Sequence, residues 1–451
     1  MGSSSKQWHT SAHCYCLLPT ATAPACYPCL LLTILNLLLD ASPLGIGFYH
    51  PEAKTGVSRV VEELVSGLWE SKEVNLSLVA PIYVAETQRY VQSLFGAGGP
   101  PLANSTADRR WARLENALLN PLEPGGQSTK IIRAGLEQVR QVLGMKPEPM
   151  PVKKWPAGSV YHSPFYPIPA AVGKARHIRP VMTVHDLIPI QRPDWFREGE
   201  QTVRQVIDSL TPETHVVCVS EATRTDFLNY TNFSPNQVIT IPLAASRDLF
   251  YPVTDPDRIA AVQQRFGITG GGYILSLATF EPRKNIDHLI RSFARLVEER
   301  AIPDDFNLVL VGTKGWKTDQ IMAEISRTNH LQSRVILTGF VPDQDLAPLY
   351  SGALAFAYPS LYEGFGLPPL EAMQCGLPVV TSNLSSLPEV VGDAALLVPP
   401  TDSDALCHAL LTLINSSSVR TELAQRALER ASLFSWERFI REHISLYKGL
   451  E

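Results

Sequence analysis

The sequence predicts an α/β protein with two domains, each built on a parallel sheet wrapped by helices. The chain has 451 residues, which is too long for one hydrophobic core and suits two domains of about 200 residues each. Hydrophobic residues make up 45% and charged residues 18% of the chain, as is ordinary for a globular enzyme. From about residue 33 onward, strand-like apolar segments alternate with segments of helical spacing, which is typical of a parallel sheet.

Residues 1–32 are predicted to be a leader that precedes the first strand, either disordered or a misassigned start. Four of the seven cysteines fall in this stretch. Their C-x-C and C-x-x-C spacing could hold zinc, but the segment is short and lacks the surrounding pattern of a zinc site. The apolar run at 30–39 is about half as long as a membrane-spanning helix, so residues 32–39 are predicted to form a buried strand instead.

The first domain is predicted over residues 33–245. A helix is expected at 57–68, where apolar residues recur at helical spacing. Residues 95–156 are rich in Gly, Pro and polar side chains around two helical stretches, one of them at 130–143, and are predicted to be an insertion specific to this domain. The strands predicted in this domain are 32–39, 74–80, 181–184, 216–219 and 238–241.

The second domain is predicted over residues 250–432, after a linker near 242–257 that contains Pro252 and Pro256. A helix is expected at 286–299, and an amphipathic helix with Trp436 and Phe439 on its apolar face is expected at 435–450. The strands predicted here are 273–278, 308–311, 335–338, 353–357 and 379–381. Four polar or glycine-rich loops follow these strands, at 281–285, 312–316, 339–341 and 363–366, at the sheet edge where ligands bind.

Charge and cysteine usage narrow the class of partner and the compartment. The net charge of −5 argues against a nucleic-acid partner, because phosphate binding needs a basic field. Two basic runs, at 153–154 and 174–179, are either solvated faces or contacts with an anionic acceptor at a membrane surface. The remaining cysteines are isolated, so a reducing cytoplasm is expected, with the inner face of the membrane as an alternative location.

The most specific pattern is the run E-G-F-G-L-P-P-L-E, which begins at Glu363 and ends at Glu371. Pro368 and Pro369 suit the first turn of a helix, and Gly376 suits its end. We expect a helix of about two turns with Glu371 in its first turn. The free N–H groups of that helix and its positive dipole end would form an anion site at the glycine turn. Two carboxylates beside an anion site suit a sugar nucleotide, which has hydroxyls at both ends and a diphosphate between them.

Two cations, Arg283 and Lys284, follow a predicted strand and precede a helix, and this position suits a diphosphate. The alternative is that they are surface cations that balance Glu281 and Asp287. His185 ends another predicted strand at the ligand-binding edge, and Gly56 begins the helix at 57–68, where glycine allows close backbone approach.

Two nucleotide-binding patterns are missing from the sequence. No G-x-G-x-x-G follows the first strand, which argues against a nicotinamide dinucleotide. The loop that begins at Gly312 lacks the G-x-x-x-x-G-K-[ST] spacing of a P-loop, so an ATPase lacks support.

These residues resemble the retaining glycosyltransferases of family 4, which have the GT-B fold of two facing Rossmann-like domains. The resemblance covers about residues 33–450, and Glu363 and Glu371 match the family's E-x7-E signature. It implies that Glu371 accepts hydrogen bonds from ribose, that Arg283 and Lys284 hold the diphosphate, and that His185 approaches from the acceptor-side first domain. It also implies that the last helix crosses back to pack on the first domain. The implied catalytic set is Glu363, His185, Arg283 and Lys284, and the implied donor-binding set is Arg283, Lys284, Gly364, Phe365, Gly366, Leu367, Glu371, Gly312 and Gly56.

The resemblance also implies a reaction. The chain is expected to transfer a hexose, with mannose favoured, from a nucleoside-diphosphate sugar to a saccharide or lipid-linked acceptor, as in polysaccharide biosynthesis. GDP-mannose is the favoured donor and a UDP-sugar is possible, with no cofactor and no metal. Asp343 and Asp345 could hold a metal, but they precede a predicted helix and are expected to cap it. The alternatives are a sugar-nucleotide epimerase and an inactive sugar-nucleotide-binding protein of the same fold.

Overall fold

A computed structural model describes residues 34–49, 56–120, 126–142, 150–196, 200–312 and 333–450, together with residues 122, 324, 326 and 331. The predicted leader, residues 1–32, lies outside the described residues, as does the part of the glycine-rich loop from 313 to 316. In the described part of the chain, no helix is long and apolar enough to span a bilayer.

The first half of the chain forms a six-stranded sheet in which every strand pair is parallel. Its strands are β1 (Asn36–Asp40), β2 (Asn75–Val79), β3 (Ser159–Ser163), β4 (Ile178–Val184), β5 (His215–Cys218) and β6 (Val238–Thr240). The spatial order is β2-β1-β3-β4-β5-β6. Five of these strands were predicted. The strand β3 was missed because three of its five residues, two serines and a histidine, are polar, although all five residues are buried.

The second half forms another six-stranded parallel sheet. Its strands are β7 (Gly272–Leu277), β8 (Phe306–Val311), β9 (Val335–Gly339), β10 (Ala355–Tyr358), β11 (Val379–Ser382) and β12 (Ala395–Val398). The spatial order is β12-β11-β10-β7-β8-β9. Two parallel sheets confirm the predicted α/β class, although the edge strand β12 was missed and β10 begins two residues later than predicted.

Helices connect the strands and cover the sheets. The described helices are α1 (Ser42–Tyr49), α2 (Gly56–Ser71), α3 (Val84–Phe95), α4 (Thr106–Leu119), α5 (Gln127–Val142), α6 (Ala170–Gly173), α7 (Ile188–Gln191), α8 (Glu200–Asp208), α9 (Glu221–Tyr230), α10 (Pro256–Arg265), α11 (Ile286–Glu298), α12 (Asp343–Ser351), α13 (Leu367–Gln374), α14 (Leu387–Val391), α15 (Ser403–Asn415), α16 (Ser417–Ala431) and α17 (Trp436–Lys448). Short 3-10 turns occur at Gly96–Gly98, Val152–Lys154, Pro193–Trp195, Pro235–Gln237 and Pro282–Lys284. The predicted insertion contains α4 and α5, so its helical stretches are confirmed.

Amphipathic sequence explains how these helices pack. In α11, the residues Ile286, Leu289, Ile290 and Phe293 recur at helical spacing and are buried. Burying a side chain of this size stabilises the fold by about 1.5–3 kcal/mol each relative to leaving it in water. The helix therefore fixes the position of the loop that leads into it, at Pro282–Lys284.

The strand order marks where a ligand should bind. In the second sheet the order changes direction between β7 and β10, and in the first between β1 and β3. Ligands of open parallel sheets bind beyond the carboxyl ends of the strands at such a point. The loop after β7 carries Arg283 and Lys284, and the turn after β10 carries Glu363. The motifs that the sequence singled out therefore lie on both sides of the second switch point.

The last helix returns to the first half of the chain, as predicted. It packs on α2 so closely that a Cβ atom on Gly67 would lie 2.5 Å from Cγ1 of Ile440. The hydroxyl of Tyr447 lies 2.7 Å from Nδ1 of His162 in β3, and Nε2 of that ring lies 2.8 Å from Oγ1 of Thr183. Burial lowers the pKa of His162, and it lowers the pKa of His443 to about 4, so both buried rings are neutral.

The two sheets fall on either side of residues 241–271, which is consistent with the division predicted at 245–250. Residues Leu35–Glu451 nevertheless form one compact unit. The division into two domains thus stays a prediction, and the two sheets are halves of one unit.

Candidate active site

The residues that the sequence singled out converge on one cavity of about 570 Å³ between the two sheets. Residues from both halves of the chain line it. All eleven predicted site residues are among them: Gly56, His185, Arg283, Lys284, Gly312, Glu363, Gly364, Phe365, Gly366, Leu367 and Glu371. Their shared location is observed, whereas the roles assigned to them stay predictions.

Hydrogen bonds join the two loops that carry the charged residues. The carbonyl oxygen of Arg283 accepts from the backbone N–H of Leu361 at 2.7 Å and from the hydroxyl of Ser360 at 2.9 Å. Asn285 takes a left-handed conformation with a φ of 57°. Its side-chain amide donates to the carbonyls of Pro359 at 3.0 Å and Pro400 at 2.7 Å. The loop after β7 is thus fixed against the loop after β10.

The carboxylate of Glu363 is the hub of this site and is 6% exposed. Its Oε2 accepts from Nη1 of Arg283 at 2.5 Å. Its Oε1 accepts from Nζ of Lys284 at 2.7 Å, from the hydroxyl of Tyr358 at 2.8 Å and from the hydroxyl of Ser360 at 2.7 Å. A buried carboxylate with four donors has its hydrogen-bonding capacity filled, as a stable buried charge requires.

These contacts set the charge state of the cluster. Burial alone would raise the pKa of Glu363, but Arg283, Lys284 and the hydroxyl of Ser360 together lower it to about 2. Burial lowers the pKa of Lys284, and the nearby charge of Arg283 adds to this, whereas Glu363 opposes it. Arg283 also pairs with Glu281 through Nε at 2.7 Å. The two cations are therefore already balanced by Glu363 and Glu281, whereas Asp287, which the alternative interpretation also named, pairs with Arg291.

Helix α13 begins at the glycine turn, as predicted, but Glu371 is not in its first turn. The helix begins at Leu367, immediately before the two prolines, so Glu371 is its fifth residue. Gly366 precedes it with a φ of 108°, a conformation that a residue with a Cβ rarely takes. The hydroxyl of Tyr350 donates to Oε2 of Glu371 at 3.1 Å. Withdrawal from water raises the pKa of Glu371 to about 7, although Arg59 and this hydrogen bond oppose the rise.

His185 reaches the cavity from the end of β4. Its Nε2 lies 2.9 Å from the carbonyl oxygen of Pro164. Because a carbonyl only accepts, Nε2 carries the proton and Nδ1 is an acceptor. Burial lowers the pKa of His185, so the ring is neutral. Asp186, the next residue along the chain, also lines the cavity, and burial raises its pKa against the opposing charge of Arg283.

The glycine turn touches the first half of the chain backbone to backbone. A Cβ atom on Gly364 would lie 2.2 Å from the carbonyl oxygen of His185, so only glycine fits there. The carbonyl of Gly364 accepts from the hydroxyls of Ser220 at 2.6 Å and Thr223 at 3.1 Å. Ser220 also caps α9 by accepting from the backbone N–H of Thr223 at 3.0 Å. Ser220 therefore both caps a helix and contacts the glycine turn.

Two further contacts join the halves, and sequence reasoning missed both. Arg59, in the first turn of α2, forms an ion pair with Asp343 at the start of α12. The carboxylate of Glu389 accepts from the backbone N–H groups of Glu221 at 2.9 Å and Ala222 at 3.1 Å, which satisfies the free end of α9. Of these residues, only Arg59 carries a signal in the sequence, because it lies close to the predicted site residue Gly56.

The acidic pair at the start of α12 does not cap the helix, so that prediction is wrong. Pro342 occupies the N-cap position and makes no side-chain cap bond. Asp343 instead pairs with Arg59, and Asp345 pairs with Arg265. Across the residues that the structure describes, no group of three or more His, Cys, Asp or Glu side chains is arranged to hold a metal ion.

The comparisons with known proteins find glycosyltransferases. The family model described as "Glycosyl transferases group 1" matches residues 260–430. O-antigen chain mannosyltransferase B of Escherichia coli is 36% identical over 296 residues, which cover 64% of this chain and 74% of that protein. Serotype-specific mannosyltransferase WbdA of Escherichia coli is 30% identical over 261 residues, which cover 57% of this chain and 32% of that protein.

Similarity to a solved structure agrees with the observed topology. Sucrose-phosphate synthase from Thermosynechococcus elongatus superposes with a TM-score of 0.63 and 20% identity, and the match covers 92% of this chain and 99% of that one. At this identity the likeness concerns the fold alone, and it confirms the two-sheet GT-B architecture.

We predict that, at about pH 8, Glu363→Gln lowers the free energy of unfolding whereas Glu371→Gln does not. The lowered pKa of Glu363 means that its ion pairs stabilise the fold above its ordinary pKa, and this contribution disappears as the pH falls toward about 2. Glu363→Gln leaves two buried cations underpaired, which should lower the free energy of unfolding by about 3–5 kcal/mol.

The raised pKa of Glu371 means that its ionised form destabilises the fold above its ordinary pKa. Glu371→Gln should therefore leave the free energy of unfolding unchanged or raise it. Urea unfolding of both variants and of the wild type provides the comparison. An equal loss of unfolding free energy in the two variants would contradict the central place of Glu363 in the ion-pair network.

Proposed function

The chain belongs to the group 1 glycosyltransferases, and we propose that it transfers mannose from GDP-mannose to a saccharide acceptor with retention of the anomeric configuration. The observation that carries this proposal is the network of Glu363, Arg283 and Lys284 at the switch point of the second sheet. The names of the two mannosyltransferase relatives support mannose as the transferred sugar. A UDP-sugar is the second candidate for the donor.

The proposed diphosphate site uses N–H groups of Lys284 and Arg283 that do not bond to Glu363 or its neighbours. Lys284 has three ammonium protons, and two of them go to Tyr358 and Glu363. Arg283 has five N–H donors, and its Nη2 contacts no described residue at hydrogen-bond distance. Both side chains line the cavity beside the start of α13, whose positive dipole end favours an anion, although Pro368 and Pro369 have no N–H to donate. Glu363 holds the two cations in place and keeps them charged.

The proposed ribose site is Glu371. Tyr350 occupies Oε2 of this carboxylate, and Oε1 accepts no hydrogen bond from a described residue. A carboxylate oxygen that faces a cavity can accept from the paired hydroxyls of a ribose. Eight positions along the chain separate Glu371 from Glu363, and the glycine turn and the first turn of α13 lie between them, so a nucleotide sugar could extend from one carboxylate to the other across the helix end.

The proposed reaction exchanges one bond for another at the anomeric carbon. The bond from this carbon to the β-phosphate oxygen breaks, and its electron pair stays on the nucleoside diphosphate. The acceptor hydroxyl oxygen bonds to the same carbon on the same face, and its proton passes to the leaving phosphate oxygen. Negative charge grows on the diphosphate as positive charge grows on the sugar. Arg283, Lys284 and the start of α13 would stabilise that charge without a metal.

The first half of the chain would complete the site. Nδ1 of His185 is an acceptor and could receive a hydrogen bond from a donor-sugar hydroxyl. The contacts of Gly364 with Ser220 and Thr223 bring the two halves together over the reaction centre. Such closure orients the two substrates and excludes water that would hydrolyse the donor. Because the relatives are named as transferases, an epimerase is not favoured.

The proposed location is the cytoplasm, with peripheral contact to the inner face of a membrane. The two basic runs of the sequence come together in the structure, since His177 donates from Nε2 to the carbonyl of Val152 at 3.1 Å. Exposed cations of this patch form no ion pair within the described residues: Lys153, Lys154, Lys174, Arg176 and Arg179. Each such cation near an anionic surface contributes about 1 kcal/mol of attraction. The described cysteines are unpaired and buried, which is compatible with a reducing compartment.

Arg283→Ala should weaken the binding of GDP by about 10-fold to 100-fold, because a charge-assisted hydrogen bond contributes about 1.5–3 kcal/mol. Isothermal titration calorimetry measures the dissociation constant directly. Arg291→Ala is the matched control, since Arg291 lies on α11, the helix that follows the loop of Arg283, is exposed and pairs with Asp287. If the two variants bind GDP equally well, the diphosphate assignment of Arg283 is wrong.

Two measurements on the transfer reaction test the proposed mechanism. The linkage in the product tests retention of the anomeric configuration, and the rate in EDTA tests whether a metal ion is needed. With GDP-α-mannose and a mannose disaccharide, NMR of the anomeric protons should reveal a new α-linkage. Turnover should continue at an unchanged rate in excess EDTA, because side chains neutralise the diphosphate in the proposed mechanism. A β-linked product, or a rate abolished by EDTA and restored by magnesium, would overturn this part of the proposal.

Vesicle flotation tests the membrane contact. The wild type should float with vesicles of phosphatidylglycerol and phosphatidylcholine but not with phosphatidylcholine alone. Lys153→Glu combined with Lys154→Glu should abolish flotation through charge reversal, whereas Lys72→Glu combined with Arg441→Glu, at exposed cations elsewhere, should not. Equal flotation of both double variants would rule out this patch.

A further inference from the structure

A second cavity lies in the first half of the chain, and the proposed donor site does not use it. Its volume is about 740 Å³, which exceeds the 570 Å³ of the cavity between the sheets. The loop that follows β2 forms its floor, and helices α3, α4 and α5 form its walls. Two of these helices belong to the insertion that the sequence marked as specific to this domain.

The walls of this cavity are held in place by ion pairs. Arg140 on α5 pairs with Asp108 on α4 at 2.7 Å. Arg133 on α5 pairs with Glu115 on α4 at 3.5 Å and also with Glu86 on α3. The insertion therefore does not merely extend from the domain, because its helices are fixed to each other and to α3.

Two aromatic rings line the cavity beside these arginines. The guanidinium of Arg140 lies 5.9 Å from the ring centroid of Trp111, and that of Arg133 lies 5.9 Å from the ring centroid of Tyr83. Tyr83 has a φ of 56°, which is uncommon for a residue of its size and is found where a site fixes the backbone. Aromatic rings next to hydrogen-bonding groups suit a ligand with one apolar and one polar face.

Glu86 provides the observation that points to a ligand. Its side chain lines the cavity and the residue is 5% exposed. Its Oε2 accepts no hydrogen bond from the described residues. Burial raises the pKa of this carboxyl, although Arg133 opposes the rise. A buried acceptor without a donor is unfavourable, so a ligand that brings hydroxyl groups would relieve it.

The charge of the lining selects the chemistry of that ligand. Four carboxylates line the cavity, of Glu86, Asp108, Glu115 and Glu137, against the two guanidinium groups of Arg133 and Arg140. An excess of acids repels phosphates and other anions, including a lipid-linked diphosphate. A neutral polyol, in contrast, can donate its hydroxyl protons to these carboxylates.

The cavity lies along the same sheet edge as His185. It is lined by Ala80 and Pro81, which follow the carboxyl end of β2, and His185 follows the carboxyl end of β4. In the order β2-β1-β3-β4, three strand spacings separate them, or about 15 Å. That distance spans several linked sugar rings.

We infer that this cavity binds a neutral saccharide portion of the acceptor chain, several sugar units away from the hydroxyl that receives the new sugar. The inference rests on the proposed transfer function and adds to it the class of acceptor: an oligosaccharide or polysaccharide that the enzyme grips at a second point, through Trp111, Glu86 and Glu115.

An acceptor series tests the inference. Linear α-linked manno-oligosaccharides from the monosaccharide to the hexasaccharide serve as acceptors, and kcat/KM is measured for each. In the wild type this parameter should rise with length until the chain reaches the cavity. Trp111→Ala and Glu86→Gln should each lower kcat/KM for the hexasaccharide about tenfold more than for the monosaccharide, which corresponds to about 1.4 kcal/mol of lost binding. Arg113→Ala, on the exposed face of α4, should leave the length dependence as in the wild type.

Saturation-transfer NMR of the hexasaccharide without donor gives a second readout, because its internal rings should contact the wild type and lose that contact in Trp111→Ala. The melting temperature of Glu86→Gln shows whether the variant is folded. Transfer that is independent of acceptor length, or a length dependence that survives both substitutions, would overturn the inference and leave the transfer function standing. Transfer to no acceptor at all would overturn the proposed function and this inference with it.

Discussion

The carboxylate of Glu363 is the interaction on which the rest of the site depends. It joins the loop after β7 to the turn after β10 by receiving Arg283 and Lys284 in a place almost closed to water. In such surroundings, two adjacent cations without a counter-charge would repel each other and lose solvation. With Glu363 between them, both cations have a counter-charge, and both line the cavity at the switch point of the second sheet. The unliganded protein therefore already holds together the positive side chains of the proposed diphosphate site.

The contacts between the halves of the chain extend this arrangement. The glycine turn beside Glu363 lies directly on the backbone of His185, and its carbonyl receives the hydroxyls of Ser220 and Thr223. Glu389 satisfies the start of α9 from the other half. The same turn thus holds the cations on one side and closes the cleft on the other. An active site assembled at the junction of two halves can bring two substrates together and keep water out.

Much of the fold and the position of the site could be predicted from the sequence, because both leave local patterns. Alternating segments predicted the parallel sheets, and E-G-F-G-x-P-P-x-E predicted a glycine turn before a short helix. The strand β3 was missed because His162 and its serines read as polar. The buried ring of His162 has its hydrogen-bond partners in Thr183 and Tyr447, and Tyr447 lies 285 residues further along the chain.

The ion pairs of the site are non-local in the same way. Glu363 meets Lys284 and Arg283 across 79 and 80 residues, and Arg59 meets Asp343 across 284. No spacing rule connects such partners, so the sequence indicated which residues come together at the cavity but not that the cations are already paired. The edge strand β12 was missed for another reason: it is four residues long and only Val398 is buried, so it lacks an apolar run.

A crystal structure of the protein with GDP-mannose bound tests the central claim most directly. If Arg283 and Lys284 bind the diphosphate, the β-phosphate oxygens should lie within hydrogen-bond distance of both side chains at the start of α13, with Glu363 still in contact with Lys284. A nucleotide bound elsewhere, or a diphosphate bound in the cleft by other groups while Arg283 and Lys284 remain turned away from it, would contradict the account.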